Sequence, residues 1–208
     1  MPWVEGSEET KKRDFEIAFE NAWKELVGQD FSEVAKRSDT EFDESDRVFR
    51  IKFMGDDYLV KPEEMTVVTT DGEFTNPFYA FLIVHYLIGA KDVPLADEMI
   101  TFRELYGGDV YYLAFKNRAI EIIRKEFESR PEELVKRGLE MGGEEAGMGD
   151  YSVRIPVFPK LPITIVMWLG DEEVPTSANI LFDKTAGEHL HTEDIAAMGE
   201  NLARRLAG

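Results

Sequence analysis

Cysteine is absent from this chain of 208 residues. Disulfide bonds, cysteine nucleophiles, thiolate zinc sites and iron–sulfur clusters ligated by the chain itself are therefore excluded. The common catalytic patterns are missing as well, since the sequence contains no G-x-S-x-G, G-x-G-x-x-G or H-E-x-x-H segment. Any enzymatic activity must therefore depend on residues that form no familiar motif.

Basic residues are scarce relative to acidic ones. The 42 Asp and Glu residues against 24 Lys and Arg give a formal net charge of −18, which opposes the approach of phosphate backbones and anionic lipids. We therefore expect neither nucleic acid nor a membrane as a partner. Hydrophobic residues nevertheless make up 43% of the chain, which predicts a globular protein with a substantial core.

Long hydrophobic runs are also absent. The longest apolar stretch, "PFYAFLIVHYLIGA", spans about 14 residues, or ~21 Å as a helix, whereas the bilayer core is ~30 Å thick. This stretch is predicted to be a buried core helix. The N-terminal sequence "MPWVEGSEETKKRDFEIAF" lacks the basic and then apolar layout of a signal peptide, so a cytoplasmic location is expected.

Apolar residues recur at helical spacing in several stretches. The first helix is predicted to begin near Ser7 and to end before Gly28. Asn76 and Pro77 predict the start of a central apolar helix that runs to about Gly89, because asparagine caps helices and proline suits their first turn. Further helices are predicted over 30–38, 112–127, 131–141 and 195–206.

The spacing of apolar residues changes to two in "VFRIKFMGDDYLVKPEEMTVVTTDGEF", which predicts an antiparallel meander. The β-rich runs "YSVRIPVF" and "LPITIVMWL" and the short "ANILFD" predict a second antiparallel sheet or added strands on the first. We therefore expect an α+β fold with antiparallel sheets packed against several helices, in a single domain over 1–208. A glycine-rich loop at 142–150 leaves open two sublobes, 1–141 and 151–208.

Two of the three histidines stand one residue apart in "GEHLHTEDIA". In an extended segment His189 and His191 would project to the same side and could share a metal ion with a nearby carboxylate. The alternative is a helix start, in which Thr192 is the N-cap and Glu193 and Asp194 favour the positive end of the helix dipole. Both interpretations remain open from the sequence.

Two other segments contain candidate ligand-binding residues. His85 follows Phe81 by four positions in the central helix, which predicts either a hydrogen-bonded core histidine or an axial ligand of a haem or corrinoid. In "FRELYGG", Arg103 and Tyr106 precede two glycines. Such a segment forms either a backbone cradle for a carboxylate or phosphate, or a tight turn held by contact of Arg103 with Glu104 or a neighbouring residue.

Several phrases resemble a known family. They are "FLIVHYL", "ITFRELYGGDVYYLAFKNR", the "MGD" before a proline-punctuated strand pair, and "PTSANILFDKTAGEHLHTEDIAAMGENL". From about residue 15 onward the chain resembles domain of unknown function 3786, an uncharacterised family of anaerobic bacteria and archaea. In that family the domain is often joined to, or encoded near, a four-cysteine iron–sulfur module of the corrinoid-protein type, which implies anaerobic redox or one-carbon metabolism. This chain departs from the fused members, because it has no such module.

These observations lead to one expected function and two alternatives. We expect a non-enzymatic accessory protein that binds a small molecule or tetrapyrrole-like cofactor between the central helix and the strands. The predicted ligand-binding residues are His85, Arg103, Tyr106, His189 and His191. One alternative is a metal-dependent enzyme that uses His189 and His191. The other is an acidic interaction module that docks an iron–sulfur or corrinoid protein.

Overall fold

The computed structural model describes residues 8–208, which belong to two compact units. The first unit comprises the described residues up to Ile51 together with Asp57–Asp92. The second comprises Lys52–Asp56 and Val93–Gly208. Helices and antiparallel sheets occur together, so the predicted α+β class is confirmed.

The first unit contains three of the predicted helices and most of the predicted meander. Its helices are α1 (Glu8–Val27), α2 (Phe31–Ser38) and α3 (Pro77–Gly89). The strands β1 (Glu41–Asp43), β2 (Val48–Phe53), β3 (Asp56–Lys61) and β4 (Thr66–Thr69) form a sheet in the order β1-β2-β3-β4. The boundaries of α3 match the predicted central helix, and the side chain of Asn76 accepts a hydrogen bond from the amide of Phe78 at 2.8 Å, as expected of an N-cap.

Arg37 closes the C-terminal end of α3. Its guanidinium donates hydrogen bonds to the carbonyl oxygens of Leu87 (2.9 Å), Ile88 (2.8 Å) and Ala90 (2.7 Å). Burial lowers the pKa of Arg37. The cation still complements the negative end of the helix dipole and satisfies carbonyl groups that have no partner within the helix.

The second unit contains a separate sheet and the remaining helices. The helices are α4 (Gly108–Phe115), α5 (Glu121–Phe127), α6 (Pro131–Glu140), α7 (Ala186–His189) and α8 (Thr192–Ala207). The strands are β5 (Met99–Thr101), β6 (Glu144–Glu145), β7 (Tyr151–Phe158), β8 (Leu161–Trp168) and β9 (Ser177–Asp183), in the order β5-β9-β8-β7-β6. The second antiparallel sheet is therefore confirmed. A π-helical segment, Lys116–Ile120, joins α4 to α5 and was not predicted.

The centre of the second sheet is fully covered. Every residue of β8 is buried except Trp168, which explains why "LPITIVMW" is an unbroken apolar run. Glu144–Glu145 forms a short strand inside the predicted loop at 142–150 and pairs with β7. The predicted sublobes on either side of that loop stay a prediction. No helix within residues 8–208 is both long and apolar enough to cross a membrane.

Helix α6 lies directly on strand β7, and a glycine makes this approach possible. Gly138 is buried on the sheet side of α6. A Cβ atom built at this position would lie 2.4 Å and 2.8 Å from the two methyl carbons of Val153. The helix backbone therefore lies closer to the strand than any side chain at position 138 would allow.

Asp183 holds the segment before β5 against the end of β9. Its carboxylate accepts hydrogen bonds from the amides of Ala96 (3.0 Å) and Asp97 (2.9 Å) and from the amide (3.0 Å) and hydroxyl (2.7 Å) of Thr185. Burial alone would raise the pKa of Asp183, but these hydrogen bonds to the ionised form lower it overall.

The Gly138–Val153 contact predicts a context-dependent effect of one methyl group. In an ordinary helix interior Gly→Ala stabilises by about 1 kcal/mol. Here we expect Gly138→Ala to lower the free energy of unfolding by about 1–3 kcal/mol because the helix is overpacked against the strand. In a Val153→Ala background the same change should be neutral or stabilising. Urea unfolding of the four proteins in this double-mutant cycle measures the coupling, and equal effects in both backgrounds would contradict the contact.

The Asp183 hydrogen bonds predict a pH-dependent loss of stability. Asp183→Asn should lower the free energy of unfolding by about 1–3 kcal/mol at pH 7, because the introduced NH₂ cannot accept the bonds that the carboxylate accepts. A carboxylate with a lowered folded pKa stabilises above its unfolded pKa of about 3.9, and this stabilisation disappears as the pH falls through the folded value. The difference in free energy of unfolding between wild type and variant should therefore become smaller below about pH 4.

Thermal unfolding at pH 3 and pH 7 checks the Asp183 prediction. Asp46→Asn is the matched control, because this aspartate is exposed. A difference in stability between wild type and Asp183→Asn that stays constant or increases at pH 3 would be inconsistent with the hydrogen-bonding arrangement at Asp183.

Candidate functional site

A groove with a volume of about 830 Å³ lies between α6 and residues 145–152. Its apolar surface comes from Val135 and Leu139 on one wall and from Met148 and Tyr151 on the other. Leu139, on the helix wall, is 45% exposed. The groove therefore presents uncovered apolar side chains to solvent.

The sequence of α6 determines which residues reach the groove. Leu134 and Gly138 are buried toward the sheet, whereas Val135 and Leu139, one helical turn apart, lie on the groove side. Pro131 occupies the first turn, where its missing amide hydrogen costs no helical hydrogen bond. The helix thus has one apolar face for the core and a second, smaller one for the groove.

The opposite wall is held in place by hydrogen bonds. The amide of Met148 donates to the Ser152 hydroxyl (2.8 Å), and the amide of Asp150 donates to the carbonyl oxygen of Met167 in β8 (2.9 Å). The carboxylate of Asp150 accepts from the amide of Leu169 at 2.7 Å. These bonds fix residues 148–152 to the end of strand β8.

Gly149 lies at the closest point between this wall and β8. Its φ of +57° is in the left-handed region, and a Cβ atom there would lie 2.5 Å from the carbonyl oxygen of Met167. Glycine is therefore required at this position for both conformational and steric reasons. The "GMGD" phrase of the sequence is a tight, defined turn.

Charged groups border the apolar surface of the groove. Glu132 and Glu140 lie on α6, Glu145 on β6 and Asp150 at the start of β7, whereas Lys136 is the basic lining residue. Four carboxylates against one ammonium give the lining a formal charge of −3. The groove is therefore anionic around an apolar centre.

A second cavity of about 230 Å³ lies near β5 and is more polar. Asp97, Arg154, Thr164 and Asp183 contribute to its lining. The Arg154 guanidinium lies 3.9 Å from a carboxylate oxygen of Asp97 and 3.8 Å from one of Glu144. Because its positive charge already lies between two carboxylates, this cavity offers little attraction for an anion.

His85 belongs to the first unit, whereas the other four predicted ligand-binding residues belong to the second. His85 is half-buried on α3, and the centre of its ring lies 3.9 Å from that of Phe81. The predicted position four residues after Phe81 therefore brings the two rings together. Neither His85 nor any of the other four lines the groove.

Arg103 and Tyr106 lie in the turn before α4. Arg103 donates a hydrogen bond to Asp109 at 2.7 Å, and this interaction raises the pKa of Arg103. Its guanidinium also lies 4.9 Å from the centre of the Tyr112 ring. Glu104 caps the preceding turn by accepting from the amide of Thr101 at 2.8 Å. The turn is therefore held by a neighbouring residue as the sequence suggested, although the partner is Asp109.

His189 and His191 occupy different environments. His189 ends the short helix α7 and is 1% exposed, whereas His191 is exposed. His189 is therefore helical, and the extended conformation assumed for both histidines begins only after it. In the part of the chain that the structure describes, no group of three or more His, Cys, Asp or Glu residues is placed to hold a metal ion. The metal role of the pair stays a prediction.

The predicted N-cap at Thr192 is wrong by one residue. Helix α8 begins at Thr192, and its N-cap is His191, whose side chain makes no capping hydrogen bond. The Thr192 hydroxyl instead donates to the carbonyl oxygen of Tyr106 at 2.7 Å. The Thr192 side chain therefore bonds to Tyr106, which is distant in sequence, and does not cap its own helix. Glu193 and Asp194 lie in the first turn as predicted. Tyr106 itself is 98% exposed.

Sequence reasoning identified both walls of the groove only as ordinary elements. Residues 131–141 were predicted as a helix and 142–150 as a loop, without any functional assignment. The available signal was the pair Val135 and Leu139, which the helical spacing places among charged residues on a face separate from that of the buried Leu134. Such a second apolar stripe next to a glycine-rich segment indicates a surface that is neither core nor fully polar.

Comparison with known proteins supports the family resemblance. The model of the family described as Domain of unknown function (DUF3786) matches residues 30–205. No curated protein and no solved structure is significantly similar to the chain. Since the match spans both units and most of the chain, the protein belongs to the DUF3786 family.

Proposed function

We propose that this protein is a non-enzymatic accessory protein that binds a small ligand in the groove between α6 and residues 145–152. The observation that supports this proposal is a cavity of about 830 Å³ with an apolar centre and a charged border. Small-molecule sites typically have volumes of about 300–1,000 Å³ and combine apolar walls with a few polar groups.

The exposed apolar side chains provide the driving force for binding. A ligand that covers Leu139, Val135 and Met148 removes their surfaces from water. Each fully buried aliphatic side chain contributes about 1.5–3 kcal/mol, and a partly exposed one contributes a share of this. Contacts with two or three such residues therefore supply only part of the ~8 kcal/mol that micromolar binding requires, and the polar border must supply the rest.

The fixed wall lowers the cost of binding. Residues 148–152 are already held by Ser152, Asp150 and the carbonyl oxygen of Met167. A ligand therefore meets a surface whose backbone needs little ordering, and less of the interaction energy is lost as conformational entropy. Met148 adds an adaptable thioether side chain that fits ligands of somewhat different shape.

This groove differs from the pocket that the sequence suggested. It contains no histidine among its lining residues, so the axial histidine that the sequence suggested for a haem or corrinoid does not belong to it. The proposed ligand is therefore a compact organic molecule. A place beside an iron–sulfur or corrinoid protein of anaerobic redox or one-carbon metabolism is proposed on the family resemblance alone, and the cytoplasmic location expected from the sequence stays a prediction.

The experiment uses the neutral solvatochromic dye 6-propionyl-2-(dimethylamino)naphthalene. We expect its emission to shift to shorter wavelength on binding to wild-type protein, with saturation at one dye per chain. Leu139→Asp should weaken this binding by about tenfold or more, because the substitution places a charge in the apolar centre of the groove. A fluorescence titration provides both dissociation constants.

Leu113→Asp is the matched control. Leu113 is 70% exposed on α4 and does not line the groove, so the same substitution there should leave dye binding unchanged. The proposal fails if wild-type protein shows no saturable binding, or if the two variants weaken binding equally. Thermal melts of both variants separate a loss of binding from a loss of folding.

A further inference from the structure

We infer that the ligand of the groove is an amphipathic organic cation, with an ammonium group attached to an aliphatic or aromatic body. This inference rests on the proposed ligand-binding function and specifies the chemical class of the ligand. It follows from three features of the groove: unbalanced carboxylates on both walls, a lysine that is already paired, and an apolar centre that contains a tyrosine.

The carboxylates of the groove are not balanced by the protein itself. Glu132, Glu140 and Glu145 form no salt bridge with any residue in the part of the chain that the structure describes. Other acidic residues nearby do have partners: Glu133, for example, lies within 4 Å of both Lys136 and Arg137. Three carboxylates of the groove border thus have no protein cation of residues 8–208 within salt-bridge distance, and a cationic ligand would provide the missing charge.

Lys136 does not cancel this charge. Its ammonium lies 3.4 Å from a carboxylate oxygen of Glu133, a residue outside the groove lining. The field inside the groove is therefore dominated by carboxylates, which attract cations and repel anions over several ångströms. A carboxylate or phosphate ligand would add a like charge to this border.

The apolar centre determines the rest of the ligand. Val135 and Leu139 face Met148 and Tyr151 across the groove, so a hydrocarbon chain or ring fits between the walls. The half-buried Tyr151 also contributes an aromatic ring to the lining, and the face of such a ring is a common partner of ammonium groups. A fully hydrated inorganic cation would gain nothing from these four side chains, whereas an amphipathic cation uses both the centre and the border.

The distribution of the charges favours a small molecule with one cationic end over a larger polycation. Glu132 and Glu140 stand at opposite ends of α6, whereas Glu145 and Asp150 stand on the facing wall. An ammonium group bound in the groove can therefore be attracted by carboxylates from either wall. The volume of about 830 Å³ is that of a small-molecule site.

Three eight-carbon probes that differ only in their head group test the inference. They are octylammonium, octan-1-ol and octanoate, used at pH 7 and low salt as competitors of the neutral dye. We expect octylammonium to bind about tenfold more tightly than octan-1-ol, and octanoate to bind most weakly, since several partly exposed carboxylates each add a modest attraction. The preference for the ammonium should decrease as salt is raised to 0.5 M.

Charge-matched variants separate the groove from the overall charge of the protein. Glu140→Gln combined with Glu145→Gln removes two groove carboxylates and should reduce the ammonium-to-alcohol affinity ratio at least threefold. Glu172→Gln combined with Glu173→Gln removes the same charge from an exposed turn that does not line the groove. This control pair should leave the ratio unchanged.

The outcomes distinguish the inference from the function on which it rests. If octan-1-ol competes but octylammonium binds no better, the groove binds ligands and the assignment of a cation is overturned. If the control variant lowers the ratio as much as the groove variant, the preference comes from the net charge and the assignment is again overturned. If the dye binds the groove but none of the three probes displaces it, the assignment of a cation is overturned while the ligand-binding proposal stands. If the dye itself shows no saturable binding, both proposals fail.

Discussion

The close approach of α6 to β7 is the constraint on which the groove depends. Gly138 allows the helix backbone to approach Val153 of β7 closely. The chain then turns back to the same strand, because Glu145 of β6 pairs with Val153. A Cβ atom at Gly143 would lie 2.7 Å from the carbonyl oxygens of Gly138 and Arg154, so the turn between helix and strand is equally tight. With any larger residue at these glycines, the helix would move away from the strand and the two walls of the groove would separate.

The acidity of the chain has more than one physical role. Asp183 and Glu104 are used structurally, as acceptors of backbone amide hydrogens. Arg103 and Asp109 form an exposed pair of the kind that contributes little to stability. Glu132, Glu140 and Glu145 of the groove belong to neither group. Uncompensated charge on a folded protein raises its free energy through repulsion, and here such charge borders an apolar surface.

The fold could be predicted from the sequence wherever local signals were strong. The boundaries of α3 follow from Asn76, Pro77 and an apolar run, and strands β7 and β8 follow from β-branched residues on both sides of a short turn. The errors share one cause, which is pairing between residues distant in sequence. Thr192 bonds to Tyr106 instead of capping its own helix, and β6 exists only because β7 lies beside it.

The groove escaped prediction for a related reason. Histidines and arginines attracted attention because their chemistry is specific, yet the structure places His85 in one unit and His189 inside the other. The groove is instead made of common residues, and its character comes from the distance between a helix and a turn. Neither Leu139 nor Met148 has any property in the sequence that separates it from a core residue. Only the exposure of their side chains in three dimensions does so.

The hydrogen bonds that fix the second wall of the groove have a consequence for divergence within the family. They involve backbone amides, the hydroxyl of Ser152 and the carboxylate of Asp150, but not the side chains of Glu145 or Met148. Substitutions at these two positions therefore change the chemistry of the wall without removing the bonds that give it shape. Changes at these positions would alter the charge and shape of the groove surface while the bonded framework of residues 148–152 stays in place.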